Sequence, residues 1–285
     1  MPNLPDPLLA AAEARRLAAA PSFCATGYFF RPGIPRTGLH EVYAGQAADA
    51  PSASGFVLGG IARWLAGQPA SPARRPEMSR QTSRATASAK GSVLWVRAEG
   101  LHLETGRLYP PGLAAFAIPP ATVALVAARD VTGALQAGLE AARCPALTAV
   151  MIELRGPARA YDLTASRRLA RAAQDSGVAV FVLRHGADPI PSAADSRWQV
   201  RSLPSRPLAA NATGFPAFEV ALLRHRGGRE GQRWTVEWNR DAVAFDDLSG
   251  FGPAATGDRG AALPGAVVPV PGGRADAVRG YFRAG

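Results

Sequence analysis

The chain has 285 residues, 47% of them hydrophobic and 19% charged, which fits a globular protein with one large core. No apolar run reaches the roughly 18–20 residues needed to cross a bilayer, and Asp6 and Glu13 sit where a secretory signal would be basic and then apolar. A cytoplasmic, nucleoid-associated protein with no membrane partner is therefore expected. The formal charge is +10, and thirty-one of the thirty-two cations are arginine, with Lys90 the single lysine. Excess positive charge favours phosphate-rich partners and says nothing about fold.

Two cysteines, Cys24 and Cys144, and four scattered histidines show no metal-ligand spacing. His40–Glu41 begins like HExxH, but position 44 is Ala, and no GxSxG elbow occurs. No metal, no catalytic residue and no cofactor are expected.

In chain order, residues 5–20, "PDPLLAAAEARRLAAA", read as an Ala-rich helix, and 21–38 as an irregular Pro/Gly arm. A regular pattern then begins. "LHEVYA" (39–44) reads as a strand and 55–66 as a helix, with "AGQAADAPSASGF" as the loop between them. "SVLWVRA" (92–98) is a strand, "PGLAAFAI" (111–118) a short helix opened by proline, and "TVALVAA" (122–128) a strand. Asp130 is placed to cap a helix with Val131, Leu135, Leu139 and Ala142 on one face. "LTAVMIEL" (147–154) is a nearly continuous apolar strand. Asp162 caps a further helix that ends at Gly177, with Arg167, Arg168 and Arg171 outside. "VAVFVLRH" (178–185) is the next strand.

Strands apolar on both faces and separated by helices predict a parallel sheet covered on both sides. After residue 190 the period becomes two: "SRWQVRSLP", "FEVALLRHR" and "RWTVEWN" predict antiparallel strands, the last two joined by a "GGREGQ" hairpin. The expected fold is an α/β parallel sheet flanked by helices and extended by C-terminal antiparallel strands. The expected organisation is an arm over 1–38, a core over 39–248 and a loose tail over 249–285. A basic, Ser/Pro-rich insertion, expected to be disordered, interrupts the core at 67–91.

The loop after the first strand stands where a P-loop ATPase holds phosphate, between strand and helix. The candidate positions of such a site are Gly45, Ser52, Ser54 and Gly55, with Glu153 as the carboxylate at the end of an apolar strand. No lysine is present to neutralise phosphate, and Asp49 adds a negative charge. Ser52 and Ser54 suffice as helix caps, and Glu153 reads as a relic of such a site or as a structural partner of Arg155 or Arg159. The expectation is a strand–loop–helix shape without ATPase chemistry.

Several motifs, taken together, resemble the ImuA proteins, RecA-like and SulA-like accessory factors of bacterial damage-induced mutagenesis. They are "LHEV" (39–42), "VLWV" (93–96), "GRLYPPGLAAF" (106–116), "YDLTASRRLARAAQDSGVAVFVLR" (161–184), "SAADSRWQV" (192–200) and "LLRHRGGREGQRWTVEWNRD" (222–241). The resemblance implies a RecA-type fold and an accessory, non-catalytic role in SOS translesion synthesis. The implied partners are an ImuB-like Y-family polymerase homologue and an error-prone replicative-type DNA polymerase, with RecA and single-stranded DNA as further candidates. It supplies no catalytic residue.

Three alternatives remain beside the adaptor reading, one of them a true ATPase with a non-standard phosphate site, which ATP turnover abolished by Glu153→Gln would favour. Direct DNA binding would use Arg224, His225, Arg226 and Arg229 around the hairpin, and Arg74, Arg75, Arg80 and Arg84 in the insertion, through phosphate contacts that weaken with salt. A SulA-like cell-division inhibitor follows from the wider family likeness.

Overall fold

A computed structural model describes residues 34–67, 91–98, 106–227 and 230–248. The chain divides into two compact units, Met1–Gly250 and Phe251–Gly285, and every described residue lies in the first. The expected helix over 5–20 and the tail from 249 lie outside the described residues, as does nearly all of the basic insertion.

Nine strands form one sheet in the order β3-β2-β4-β5-β1-β6-β7-β8-β9. They are β1 (Gly38–Ala44), β2 (Ser92–Ala98), β3 (Val123–Ala128), β4 (Leu147–Arg155), β5 (Ala179–His185), β6 (Ser196–Leu203), β7 (Ala217–His225), β8 (Gln232–Asn239) and β9 (Ala244–Asp247). β1 to β6 are parallel, and β6 to β9 pair antiparallel. The parallel core with an antiparallel extension is the architecture expected from the hydrophobic pattern. β6 is the hinge of that design: one edge joins β1 in parallel and the other joins β7 in reverse.

The helices are α1 (Ala50–Leu65), α2 (Pro110–Ala115), α3 (Val131–Ala142) and α4 (Leu163–Ser176). Their ends follow the sequence closely. Asp130 accepts from the Gly133 N–H and Asp162 from the Ala165 N–H, each at 2.7 Å, so both predicted caps form. Gly177 ends α4 at φ 68°, a left-handed position that favours glycine. On α4, Leu169, Ala172 and Ala173 are buried while Arg167, Arg168 and Arg171 face water.

Strand alternation splits the core into two layers. Val42, Met151, Phe181 and Trp198 pack beneath α1, whereas Val150, Ile152, Val180 and Val182 pack beneath α3 and α4. The antiparallel extension is fixed to α1 by rings: Phe56 lies 5.9 Å from Trp198 and 5.6 Å from Phe245, and Trp238 lies 5.1 Å edge-on to Phe245. Gly59 permits that approach, since a Cβ there would stand 2.5 Å from Phe245 and 2.9 Å from Trp238. Two sequence expectations need correction here. β9 was not anticipated, because a four-residue strand reading AFDD carries little β signal beyond Phe245. Strands β7 and β8 do not simply alternate, because Glu237 on the polar face of β8 is itself buried and paired with Arg206.

His40 on β1 is fully enclosed, with Nδ1 bonded to Ser196 Oγ at 2.8 Å and Nε2 to the Thr37 carbonyl at 3.0 Å. Burial lowers its pKa from 6.5 to about 4. The unfolded chain therefore takes up this proton first as pH falls. Stability is full above about pH 6.5 and is lost progressively toward pH 4, by about 3 kcal/mol in total. Urea unfolding across that window should show this slope, and His40→Gln should flatten it. An unchanged slope in the variant would assign the effect to other groups.

Candidate functional site

In an open parallel sheet, ligands bind beyond the carboxyl ends of the strands. Here that edge carries charge on both faces of the sheet, and each charge is set by strand register.

Glu153 near the end of β4 lies directly across from Arg97 on β2. Arg97 Nε donates to Glu153 Oε2 at 2.7 Å, and the Trp95 indole N–H donates to the same oxygen at 3.2 Å. His185 Nε2 stands 3.4 Å from Oε1, too long for a well-formed hydrogen bond, so Arg97 is the firmer partner. Burial pushes the Glu153 carboxyl upward, but His185 and the charge of Arg97 outweigh it and hold the carboxyl below its usual value. The expected partners Arg155 and Arg159 are replaced by Arg97 and His185. The reason is register: the parallel β2–β4 pairing brings a residue 56 positions away closer than a sequence neighbour.

On the opposite face, Glu41 of β1 is fully buried and faces Arg197 of β6 in register. Arg197 Nε donates to Glu41 at 2.7 Å and the Tyr161 hydroxyl donates at 2.8 Å. Burial, reinforced by Glu41, pushes Tyr43 up to about 12 and Tyr161 well above its ordinary value, so both hydroxyls stay protonated donors. Arg184, 1% exposed, stacks 5.2 Å from the Tyr161 ring and donates to the Gly156 and Pro157 carbonyls, while its Nε and Nη1 have no hydrogen-bond partner. Site motifs in the sequence mark none of Arg97, Arg184 and Arg197, and touch Glu41 only beside His40 in the incomplete HExxH pattern. A charged residue inside an otherwise apolar strand, as in "LHEV" and "FVLRH", was the available signal.

The junction from β1 to α1 departs from the expected loop. Only Gly45 and Gln46 separate the strand from a 3₁₀ turn at Ala47–Asp49, and α1 begins at Ala50. Ser52, Ser54 and Gly55 are therefore helical, and neither serine caps. The small-residue composition reads as a loop, but Pro51 fits the first turn of a helix, where its missing N–H costs nothing. Asp49 is the residue that closes the junction. It is 1% exposed; Oδ2 accepts from the Gln46 N–H at 3.0 Å, and Oδ1 accepts from the Ser202 N–H at 2.9 Å and its hydroxyl at 2.6 Å. Gly45 is required by crowding, since a Cβ there would stand 2.4 Å from Arg201 Cγ.

A cleft of about 220 Å³ opens beside this junction. Ser54 and Gly55 of α1 form one wall, Glu153 and Arg97 the floor, and Tyr109 and Phe116 the far side. Of the sequence candidates, Ser54, Gly55 and Glu153 meet here, while Gly45 and Ser52 do not line it. It is below the roughly 300–1,000 Å³ of usual ligand pockets. Among the described residues no group of three or more His, Cys, Asp or Glu could hold a metal ion. No described helix is long and apolar enough to cross a membrane.

The basic hairpin lies at the other end of the parallel strands. Arg226 pairs with Asp195 at 3.0 Å, Arg224 donates to the Ser192 carbonyl at 3.3 Å, and His225 Nδ1 accepts from the Gly227 N–H. Arg224 and Arg226 fasten the 192–195 segment to the end of β7, so part of the charge is already engaged. Arg229, Arg74, Arg75, Arg80 and Arg84 lie outside the described residues.

No family model matches the chain, and no curated protein matches it. Among solved structures, the crystal structure of the RadB recombinase is similar, with 16% identity and a TM-score of 0.46, covering 74% of this chain and 90% of that one. At that identity no residue role follows from it.

Replacing Asp49 by Ala strands the Gln46 N–H and both Ser202 donors. A loss of about 2–4 kcal/mol in chemical denaturation is expected, with Asp49→Asn, which keeps an acceptor oxygen, costing less. Equal stability of Asp49→Ala and the parent would show that this carboxylate does not hold the junction.

Proposed function

We propose that the chain is a non-catalytic, RecA-like accessory protein of the ImuA type, acting as an adaptor in SOS translesion synthesis. In this reading it binds an ImuB-like polymerase homologue and, through it, serves an error-prone replicative-type polymerase. The observation that carries the non-catalytic part is the closed β1–α1 junction. The Asp49 carboxylate takes up the Gln46 N–H, a backbone donor that a phosphate-binding loop would present, and puts a negative charge at the start of α1 where such a loop would place a cation. The neighbouring cleft is small for a nucleotide.

The adaptor part is supported by β3. It is the outermost parallel strand, and no described strand pairs with its free edge. Its sequence, VALVAA, contains none of the charges or prolines that usually blunt an edge, and Leu125 is 50% exposed. A partner segment can add to such an edge by main-chain hydrogen bonds, with apolar side chains beside it.

Tagged protein recovered from the native bacterium after DNA damage should carry the polymerase homologue. Leu125→Glu, at a half-exposed position, should keep its thermal stability and lose that partner. Absence of both polymerases from the parent pull-down would contradict the translesion reading, and partner retention by Leu125→Glu would move the contact away from β3.

A further inference from the structure

A groove of about 560 Å³ runs along the outer side of α4 where it meets the C-terminal end of α3. Four arginines line it: Arg143 at the end of α3, and Arg167, Arg168 and Arg171 on α4. Arg143 is held by Glu140 at 2.7 Å and Arg171 by Asp175 at 2.8 Å, both pairs well exposed. Exposed pairs of this kind are weak and exchange readily for a better anion. Arg167 and Arg168 are exposed and form no ion pair with another described residue. Between the arginines, Pro145 and Ala172 give the groove an apolar floor, extended by the arginine methylene stems.

We infer that this groove is a docking site for an acidic peptide segment of a partner protein, one that alternates carboxylates with apolar side chains. The charge selects an anion, since guanidinium forks match carboxylates in bidentate geometry. The floor selects a peptide. An apolar bottom gives a phosphate chain nothing, but it accepts the leucines or valines of a short helix or strand. One feature argues against nucleic acid as the occupant: no aromatic ring lines the groove, so bases have no stacking platform. The chain's own N-terminal stretch does not fit, because residues 5–20 balance Asp6 and Glu13 with Arg15 and Arg16. The inference stands on the groove itself and does not require the translesion reading.

The test uses the full chain and two labelled probes read by fluorescence anisotropy. One is a short peptide of alternating Glu-Glu and Leu-Leu pairs, the other oligo(dT). The peptide should bind and weaken as salt rises. Arg167→Glu with Arg168→Glu should reduce peptide affinity about tenfold or more. Arg129→Glu with Arg240→Glu, a matched change of charge at exposed sites elsewhere, should leave it nearly unchanged. All four positions are on the surface, and unchanged thermal unfolding checks that each variant is folded. No peptide binding by the parent, or equal losses in the two double variants, overturns the inference. Oligo(dT) binding that the groove variants abolish while peptide binding is unaffected assigns the groove to nucleic acid and overturns it as well.

Discussion

The Asp49 carboxylate is the constraint on which the arrangement of this edge of the sheet depends. It joins three pieces of chain that otherwise meet only by packing: the end of β1 through Gln46, the start of α1 through its own backbone, and β6 through Ser202. A buried charge satisfied by three donors, one of them a hydroxyl at 2.6 Å, is directional in a way that apolar packing is not. It sets the two-residue turn, and that turn brings α1 down early enough for Phe56 and Gly59 to reach the rings of the antiparallel extension. It also places negative charge at the end of α1 where the helix dipole favours an anion.

The same economy governs the two carboxylates deeper in the sheet. Glu41 and Glu153 lie on opposite faces, and each has an arginine directly across in register and an aromatic donor beside it. Parallel pairing fixes these distances, so the ion pairs and the strand register enforce one another. A one-residue slip would put each carboxylate against the opposite apolar layer. Removing one partner from such a pair typically costs about 3–5 kcal/mol, because the other charge is left buried. Charge at this edge thus serves first to define the sheet. The two proposed contact surfaces lie elsewhere among the described residues, on the apolar edge of β3 and on the arginine face of α4.

Much of this fold is legible in the sequence because its elements obey local rules. The aspartates at 130 and 162 announce their helices, Gly177 ends one, and the apolar runs at 147–154 and 178–185 can only be strands covered on both sides. The readings that failed depended on information that is not local. Ala, Ser, Pro and Gly between 45 and 55 have the composition of a loop, and only the Asp49–Ser202 contact, 153 residues apart, shows why they turn directly into a helix. Glu153 was correctly placed at the mouth of the sheet but matched with arginines near it in sequence, because strand order decides its partner. The cleft residues Trp95, Arg97 and Tyr109 come from segments that converge only once β2 lies beside β4.

The central claim is that the head of α1 is closed to phosphate by the chain's own carboxylate. Isothermal titration of the purified protein with magnesium and ATP tests it most directly. No saturable heat is expected at ordinary cellular nucleotide concentrations. Saturable binding that Ser54→Glu abolishes, in a variant that still unfolds like the parent, would place phosphate at the head of α1 and contradict the claim.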